Sequence, residues 1–276
     1  MPPRRPTDLE WKGLVAVFPS LTRADVWITD EPTHLYNCIA YSVGITDRWS
    51  NPPQPLNAFQ ALYNRHPYNH PTVGTDSPDA TIDGWATPKN GPIIREMTHG
   101  SRRSTSEEAP LWESKLGSDF RITHGRGELL SDLYGRVVTS FSDGGVMAEG
   151  LYQEPELTSA EVESVRTRPA HVSPELRRSF QPLLAALKES WRSPEKRYLS
   201  DSGAYAAGPE FEALAALGPE ALPLVLEEMI ESPSGFLLLP VLELWTARDD
   251  LVSGSSREEL ESQQSRARRA VRELLA

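Results

Sequence analysis

Hydrophobic and polar positions follow two patterns along the chain, and one gives way to the other near residue 145. Before that point, short apolar segments lie between turns rich in Asn, Pro and Gly. After it, Leu, Ala and Glu dominate, and apolar residues recur at helical spacing. We therefore expect an N-terminal domain over residues 1–145, a linker over residues 146–156 and a helical domain over residues 157–276.

The N-terminal pattern predicts helices first and strands afterwards. Helices are expected at residues 9–18, at residues 38–43 with Gly44 as the stop, and at residues 58–63. From about residue 82 apolar positions alternate, which predicts strands near residues 93–99, 111–116, 120–124 and 134–141. Helices followed by an antiparallel sheet are typical of an α+β fold.

The C-terminal pattern predicts helices alone. The segments 158–161 and 256–259 are both capping boxes, in which Ser or Thr and a later Glu satisfy each other's free N–H groups. A Gly-Pro pair precedes a helical stretch at residues 208–209 and again at residues 218–219. Short paired helices of this kind resemble HEAT-like hairpins, and a plain helical appendage fits equally well because no fixed repeat period is found.

Composition narrows the classes of protein to consider. The longest apolar run, Phe236–Trp245, is too short to span a membrane, and no apolar stretch follows the N-terminal basic residues as in a signal peptide. A single cysteine cannot form an internal disulfide, which favours the cytoplasm. The net charge of −11 argues against nucleic acid and membranes as partners. Because no zinc-like spacing and no phosphate loop occur, we expect no metal and no cofactor.

Cys38 is the strongest candidate for a residue with a chemical role. A cysteine at a helix N-terminus lies where free N–H groups and the helix dipole favour the thiolate, which is the nucleophilic form. Cysteine hydrolases also need a histidine that accepts the thiol proton. His99 ends a predicted strand and is followed by Gly100, and His124, at the end of another strand, is the alternative base. A free cysteine can equally be a small buried apolar residue.

A third residue should orient the imidazole ring. Glu113 is the first candidate, and Ser114, on the other face of the same predicted strand, is the alternative. The pattern leaves open which face points inward, so Glu113 and Lys115 also fit a stripe facing solvent.

Four further residues are candidates for substrate binding. They are Asn37, Asp47, Arg48 and Trp112. Asp47 and Arg48 follow Gly44, so they either line a cleft beside the cysteine helix or form a structural turn, and we favour the turn.

Five short motifs, in this order, resemble a largely uncharacterised bacterial domain family. They read NCIA, GITDRW, THGSR, WESKLG and YGRV, at residues 37–40, 44–49, 98–102, 112–117 and 134–137. That family is distantly similar to papain-like and NlpC/P60-type cysteine peptidases, so the resemblance implies a papain-like fold over about residues 30–141. It matches Cys38 to the family's cysteine, His99 to its histidine and His124 to a later histidine of unassigned role. The third catalytic position has no match.

These observations predict a papain-like cysteine hydrolase, a peptidase or amidase with a Cys38–His99 dyad and a protein or peptide substrate. Transfer or deamidation by the same cysteine would leave the same pattern. The helical domain would position the substrate or hold the enzyme in a larger system, such as a bacterial conflict or defence effector. The alternative is a catalytically inactive papain-like binding module whose helical domain recruits a protein partner.

Overall fold

A computed structural model describes residues 2–64, 69–88, 95–105, 111–144, 156–248 and 262–275, except the side chain of Arg95. The chain divides into two compact units: Met1–Leu151 with Tyr198–Ser200, and Tyr152–Arg197 with Asp201–Ala276. The first holds helices and an antiparallel sheet and the second is helical, which confirms the mixed α and β class at this coarse level. Most of the predicted linker and the capping box at residues 256–259 lie outside the described residues.

Three helices belong to the first unit: α1 (Asp8–Val17), α2 (Cys38–Ser42) and α3 (Leu56–Asn64). Asn37 caps α2, because its side-chain oxygen accepts a hydrogen bond from the Ala40 amide at 3.3 Å. Gly44, at φ 85°, follows the end of α2 and donates its amide to the Tyr41 carbonyl at 2.8 Å. The predicted helix from Cys38 to the Gly44 stop is therefore confirmed.

Seven strands form one sheet: β1 (Ile28–Asp30), β2 (Thr72–Val73), β3 (Ala80–Pro88), β4 (Arg95–Arg103), β5 (Trp112–Lys115), β6 (Arg121–His124) and β7 (Arg136–Ser142). Their order is β1-β6-β5-β4-β3-β7-β2, and every neighbouring pair is antiparallel. Strands β4, β5, β6 and β7 agree with the four alternating segments predicted from the sequence. Residues 93 and 94 of the segment that predicted β4 lie outside the described range.

The helices cover both faces of this sheet. A Cβ atom on Gly100 of β4 would lie 3.0 Å from the Tyr63 hydroxyl and 3.1 Å from Ser42 Oγ, so this face of β4 meets α2 and α3. The opposite face packs against α1 in an apolar core that includes Leu14, Phe18, Leu21, Val26, Ile28, Trp85, Leu116, Ile122, Leu129 and Tyr134. Strand alternation places each candidate side chain on these strands in one of these two environments.

The second unit contains helices α4 (Ser159–Thr167), α5 (Pro174–Ser190), α6 (Pro209–Ala215), α7 (Leu222–Glu231), α8 (Leu239–Thr246) and α9 (Gln263–Leu275). The predicted capping box at the start of α4 is present, because Thr158 and Glu161 each accept from the other's backbone amide. Gly208 has a φ of 102° and comes directly before α6, as its Gly-Pro pair predicted. Among the described residues, no helix combines the length and apolar character needed to cross a membrane.

Candidate functional site

Cys38 is the first residue of α2, and its side chain is fully buried. Its sulfur lies 2.8 Å from the Ser200 hydroxyl and accepts hydrogen bonds from the backbone amides of Gly100 and Ile39. Burial raises the pKa of the Cys38 thiol to about 11, while these hydrogen bonds and the nearby Lys115 charge oppose the shift. At neutral pH the residue is therefore a protonated thiol.

His99 points to the other face of β4. Because Gly100 faces α2, alternation turns the neighbouring His99 ring toward the α1 core. There it stacks on Tyr134 with ring centroids 4.0 Å apart and meets Trp85 edge-on. Neither ring nitrogen has a hydrogen-bond partner among the described residues, so His99 does not hydrogen-bond to the thiol. Burial, with a smaller effect from His124, holds the pKa of His99 well below its usual value, and the ring is neutral.

The two alternative residues, His124 and Ser114, bind each other. Ser114 Oγ lies 2.9 Å from His124 Nε2, and His124 Nδ1 lies 2.8 Å from the Gly125 carbonyl oxygen. Because a carbonyl oxygen only accepts, Nδ1 carries the proton and Nε2 accepts from the Ser114 hydroxyl. Burial lowers the pKa of His124 to about 4. This pair lies on the His99 face, where Ser114 sits opposite the core residue Ile122.

Glu113 lies on the α2 face. It accepts a short hydrogen bond from the Tyr41 hydroxyl and another from Thr29 Oγ1 at 2.5 Å, and it pairs with Arg121 Nε at 3.2 Å. These contacts link strand β5 to α2 and to strands β1 and β6. The interpretation of Glu113 and Lys115 as a solvent-facing stripe is wrong, because Lys115 is fully buried and the Glu113 side chain is only 14% exposed.

Of the predicted substrate-binding residues, Asn37 lies beside the thiol. Its Nδ2 donates to the carbonyl oxygens of Ser50 at 2.6 Å and Ser200 at 3.0 Å. Asp47 and Arg48 pair with each other at 2.9 Å, and this contact lowers the pKa of Asp47.

Trp112 is buried on the opposite side of the sheet from α2, where the Arg126 guanidinium lies 4.8 Å above its ring. The four residues predicted to bind substrate therefore occupy three separate environments. The roles assigned to them, and to the Cys38–His99 pair, stay predictions.

A segment far along the sequence completes the surroundings of Cys38. The Ser200 carbonyl oxygen accepts from Asn37 Nδ2 and from Trp49 Nε1 at 2.9 Å, while its hydroxyl meets the thiol. Two residues earlier, the Tyr198 carbonyl accepts from the Tyr134 hydroxyl at 2.7 Å. No local pattern could have predicted these contacts, because 162 positions separate Cys38 from Ser200.

Like Ser200, Lys115 belongs to the surroundings of Cys38 but was not predicted as a site residue. Its Nζ donates to the Gly117 carbonyl at 2.9 Å and, at shorter range, to the Asp119 carbonyl. Burial lowers the pKa of Lys115 to about 7, against the opposing attraction of Asp119 and Asp30. Within the described residues, no group of three or more His, Cys, Asp or Glu side chains could hold a metal ion.

Comparison with known proteins gives one match. Residues 27–142 fit the model of a family described as a domain of unknown function (DUF7689). This region contains α2, α3, the whole sheet and Cys38, and the match is consistent with an uncharacterised domain family. No curated protein and no solved structure gives a significant match.

Proposed function

We propose that the first unit is a binding module that holds a short peptide segment beside Cys38, and that Cys38 acts there as a contact residue. The observation that carries this proposal is the way the Ser200 peptide is bound. Three side chains, those of Asn37, Trp49 and Cys38, contact the main-chain oxygen or the hydroxyl of this one residue.

The donors beside Cys38 require a partner with a carbonyl oxygen. Asn37 and Trp49 are both fully buried, and each directs an N–H group at the same Ser200 oxygen. A buried donor left without an acceptor costs about 1–3 kcal/mol. A bound peptide would supply the carbonyl at this point and a small polar side chain that reaches the thiol, as Ser200 does.

The protonation states in the site also favour binding over hydrolysis. A general base must lie within hydrogen-bond reach of the proton it removes. His99 makes no such bond to Cys38, and the pKa of the thiol, about 11, keeps it protonated at neutral pH. In this state Cys38 is not a thiolate nucleophile, and His99 is not placed to accept its proton.

A cysteine peptidase or amidase is the second candidate, and one observation favours it. A carbonyl oxygen held by two N–H donors beside a thiol is the arrangement that stabilises an oxyanion during acyl transfer. Hydrolysis would require Ser200 to leave the thiol and a base to approach it. That base would be His99 after a rearrangement, or Lys115, whose pKa of about 7 suits proton transfer.

Under both candidates, we propose that the helical unit recruits or positions a protein partner. We also propose a cytoplasmic location and a part in a bacterial conflict or defence system.

Peptide binding can be measured with a fluorescent peptide that has the sequence of residues 194–204. The full-length chain with Tyr198→Ala and Ser200→Ala should bind it at least about tenfold more tightly than the unaltered chain does. The reason is that the unaltered segment competes at a high effective concentration. The control peptide carries alanine at the positions of Tyr198 and Ser200. Thermal unfolding establishes that the variant is folded, and Ser200→Ala alone replaces it if it is not.

Equal affinity of the variant for both peptides would contradict the binding proposal. Mass spectrometry of the same mixtures separates the two candidates. Cleavage of the peptide that disappears in Cys38→Ala would establish hydrolysis instead.

A further inference from the structure

A cavity of about 180 Å³ lies in the first unit, at the C-terminal end of α2, and its lining does not include Cys38. Ser42 and Val43 form one wall, and Arg102 and Arg103, from the end of β4, form another. A water molecule occupies about 30 Å³ of liquid, so the cavity can hold a small ligand of several non-hydrogen atoms.

The two arginines are available for a ligand. Arg102 is half-buried and lies 5.6 Å from the Tyr41 ring centroid, and Arg103 is exposed. Within the described part of the chain, neither has an ion pair or a side-chain hydrogen bond. Glu113 faces Arg102 across the β4–β5 pair but binds Arg121 instead. A half-buried guanidinium without an acid partner has lost hydration that a bound anion would replace.

The rest of the lining suits a tetrahedral oxyanion. Ser104, Thr105 and Thr81, which carry hydroxyl groups, line the cavity, and His70 adds an imidazole. The acidic residue in the lining is Asp143, so two guanidinium groups oppose one carboxylate. Arginines together with hydroxyl groups are the donors that bind phosphate oxygens.

We infer that this cavity binds the phosphate group of a small soluble phosphate compound, with Arg102 as the principal ligand. Arg103 and the hydroxyl groups of Ser104 and Thr105 complete the coordination. This site is independent of the proposed peptide-binding site and needs no participation of Cys38.

The test is isothermal titration calorimetry of the full-length chain at low ionic strength, with inorganic phosphate as the probe. Arg102→Gln should weaken phosphate binding by about tenfold or more, because it removes a charge-assisted hydrogen-bonding group. Arg103→Gln should have a smaller effect because Arg103 is exposed. Arg102→Lys keeps the charge but loses the planar fork, so its effect should be intermediate.

Arg136→Gln is the matched control, since Arg136 is an exposed arginine of the same sheet that does not line the cavity. It should leave phosphate affinity unchanged. Acetate tests the ligand class and should bind more weakly than phosphate. Ribose 5-phosphate distinguishes an organic phosphate from the free ion, because the free volume should let it bind at least as well.

Three results would overturn the inference. They are no saturable binding at millimolar phosphate, equal weakening by Arg102→Gln and Arg136→Gln, and acetate binding as tight as phosphate binding. If Arg102→Gln does not fold, Arg102→Lys and Arg103→Gln decide the question.

Discussion

Cys38 should react with iodoacetamide far more slowly in the folded chain than in the unfolded chain. The reaction needs the thiolate, and burial raises the pKa of Cys38 from 9.0 to about 11. Each pH unit changes the thiolate fraction tenfold, so below the unperturbed pKa the folded chain holds about 100-fold less thiolate. The side chain has no exposed surface, and limited access of the reagent lowers the rate further.

Mass spectrometry of the intact chain measures this reaction directly, because Cys38 is the only cysteine. For the folded chain, we expect the logarithm of the rate to rise with pH well into the alkaline range. The same chain in urea should level off near the ordinary thiol pKa. His99→Ala, corrected for its effect on stability, should leave the folded-state profile unchanged, because His99 makes no hydrogen bond to the sulfur.

Labelling of the folded chain that is faster than that of the unfolded chain at neutral pH would refute this reasoning. So would a labelling rate that falls when His99 is replaced. The first result would mean that the folded state activates the thiol, and the second that the thiol and the imidazole meet in solution. Either one would favour the hydrolase over the binding module.

Arg126→Ala should lower the free energy of unfolding, measured in urea titrations, by about 3–5 kcal/mol. The reason is that the fully buried Asp83 carboxylate loses its two 2.8 Å contacts with the Arg126 guanidinium. A loss below about 1 kcal/mol would contradict this. The stability of Lys115→Met relative to the unaltered chain should rise as pH falls from 10.5 to about 7. Over that range the unaltered chain loses stability, because its lysine takes up a proton in the unfolded state but not in the folded state. A stability difference between the two chains that does not change with pH would count against this. Gly100→Ala should cost about 1–3 kcal/mol because its Cβ would lie 3.0–3.2 Å from three side-chain atoms, whereas Gly74→Ala, with nothing within 4 Å, serves as the control. Equal effects of the two glycine substitutions would show that Gly100 is not closely packed.

The sequence predicted the elements whose causes are local. The start and end of α2 follow from Asn37 and Gly44, and the start of α4 follows from the capping box at Thr158. Strands β4 to β7 follow from alternation. In contrast, β1 and β2 have three and two residues, too few for a periodic pattern, and they exist because neighbouring strands pair with them.

The arrangement of the site depends on tertiary contacts that no local pattern encodes. Lys115 can be buried because carbonyl groups of the turn after β5 accept hydrogen bonds from its Nζ, whereas a lysine in an alternating strand is normally expected to be exposed. Ser200 reaches Cys38 from another part of the chain. The sequence could identify Cys38 as a residue of interest, but its partners come from the fold.

The separation of Cys38 and His99 follows from a single step along β4. A histidine at position 100 would face α2, but a side chain at that position would collide with Ser42 and Tyr63. At position 99 the ring fits instead between Trp85 and Tyr134 in the α1 core. Because side chains alternate with a period of two, small rotations cannot move this ring to the other face. A hydrolase with this pair would need β4 to shift its register, whereas a binding module needs no such change, and this difference adds to the Ser200 contacts as a reason for preferring binding.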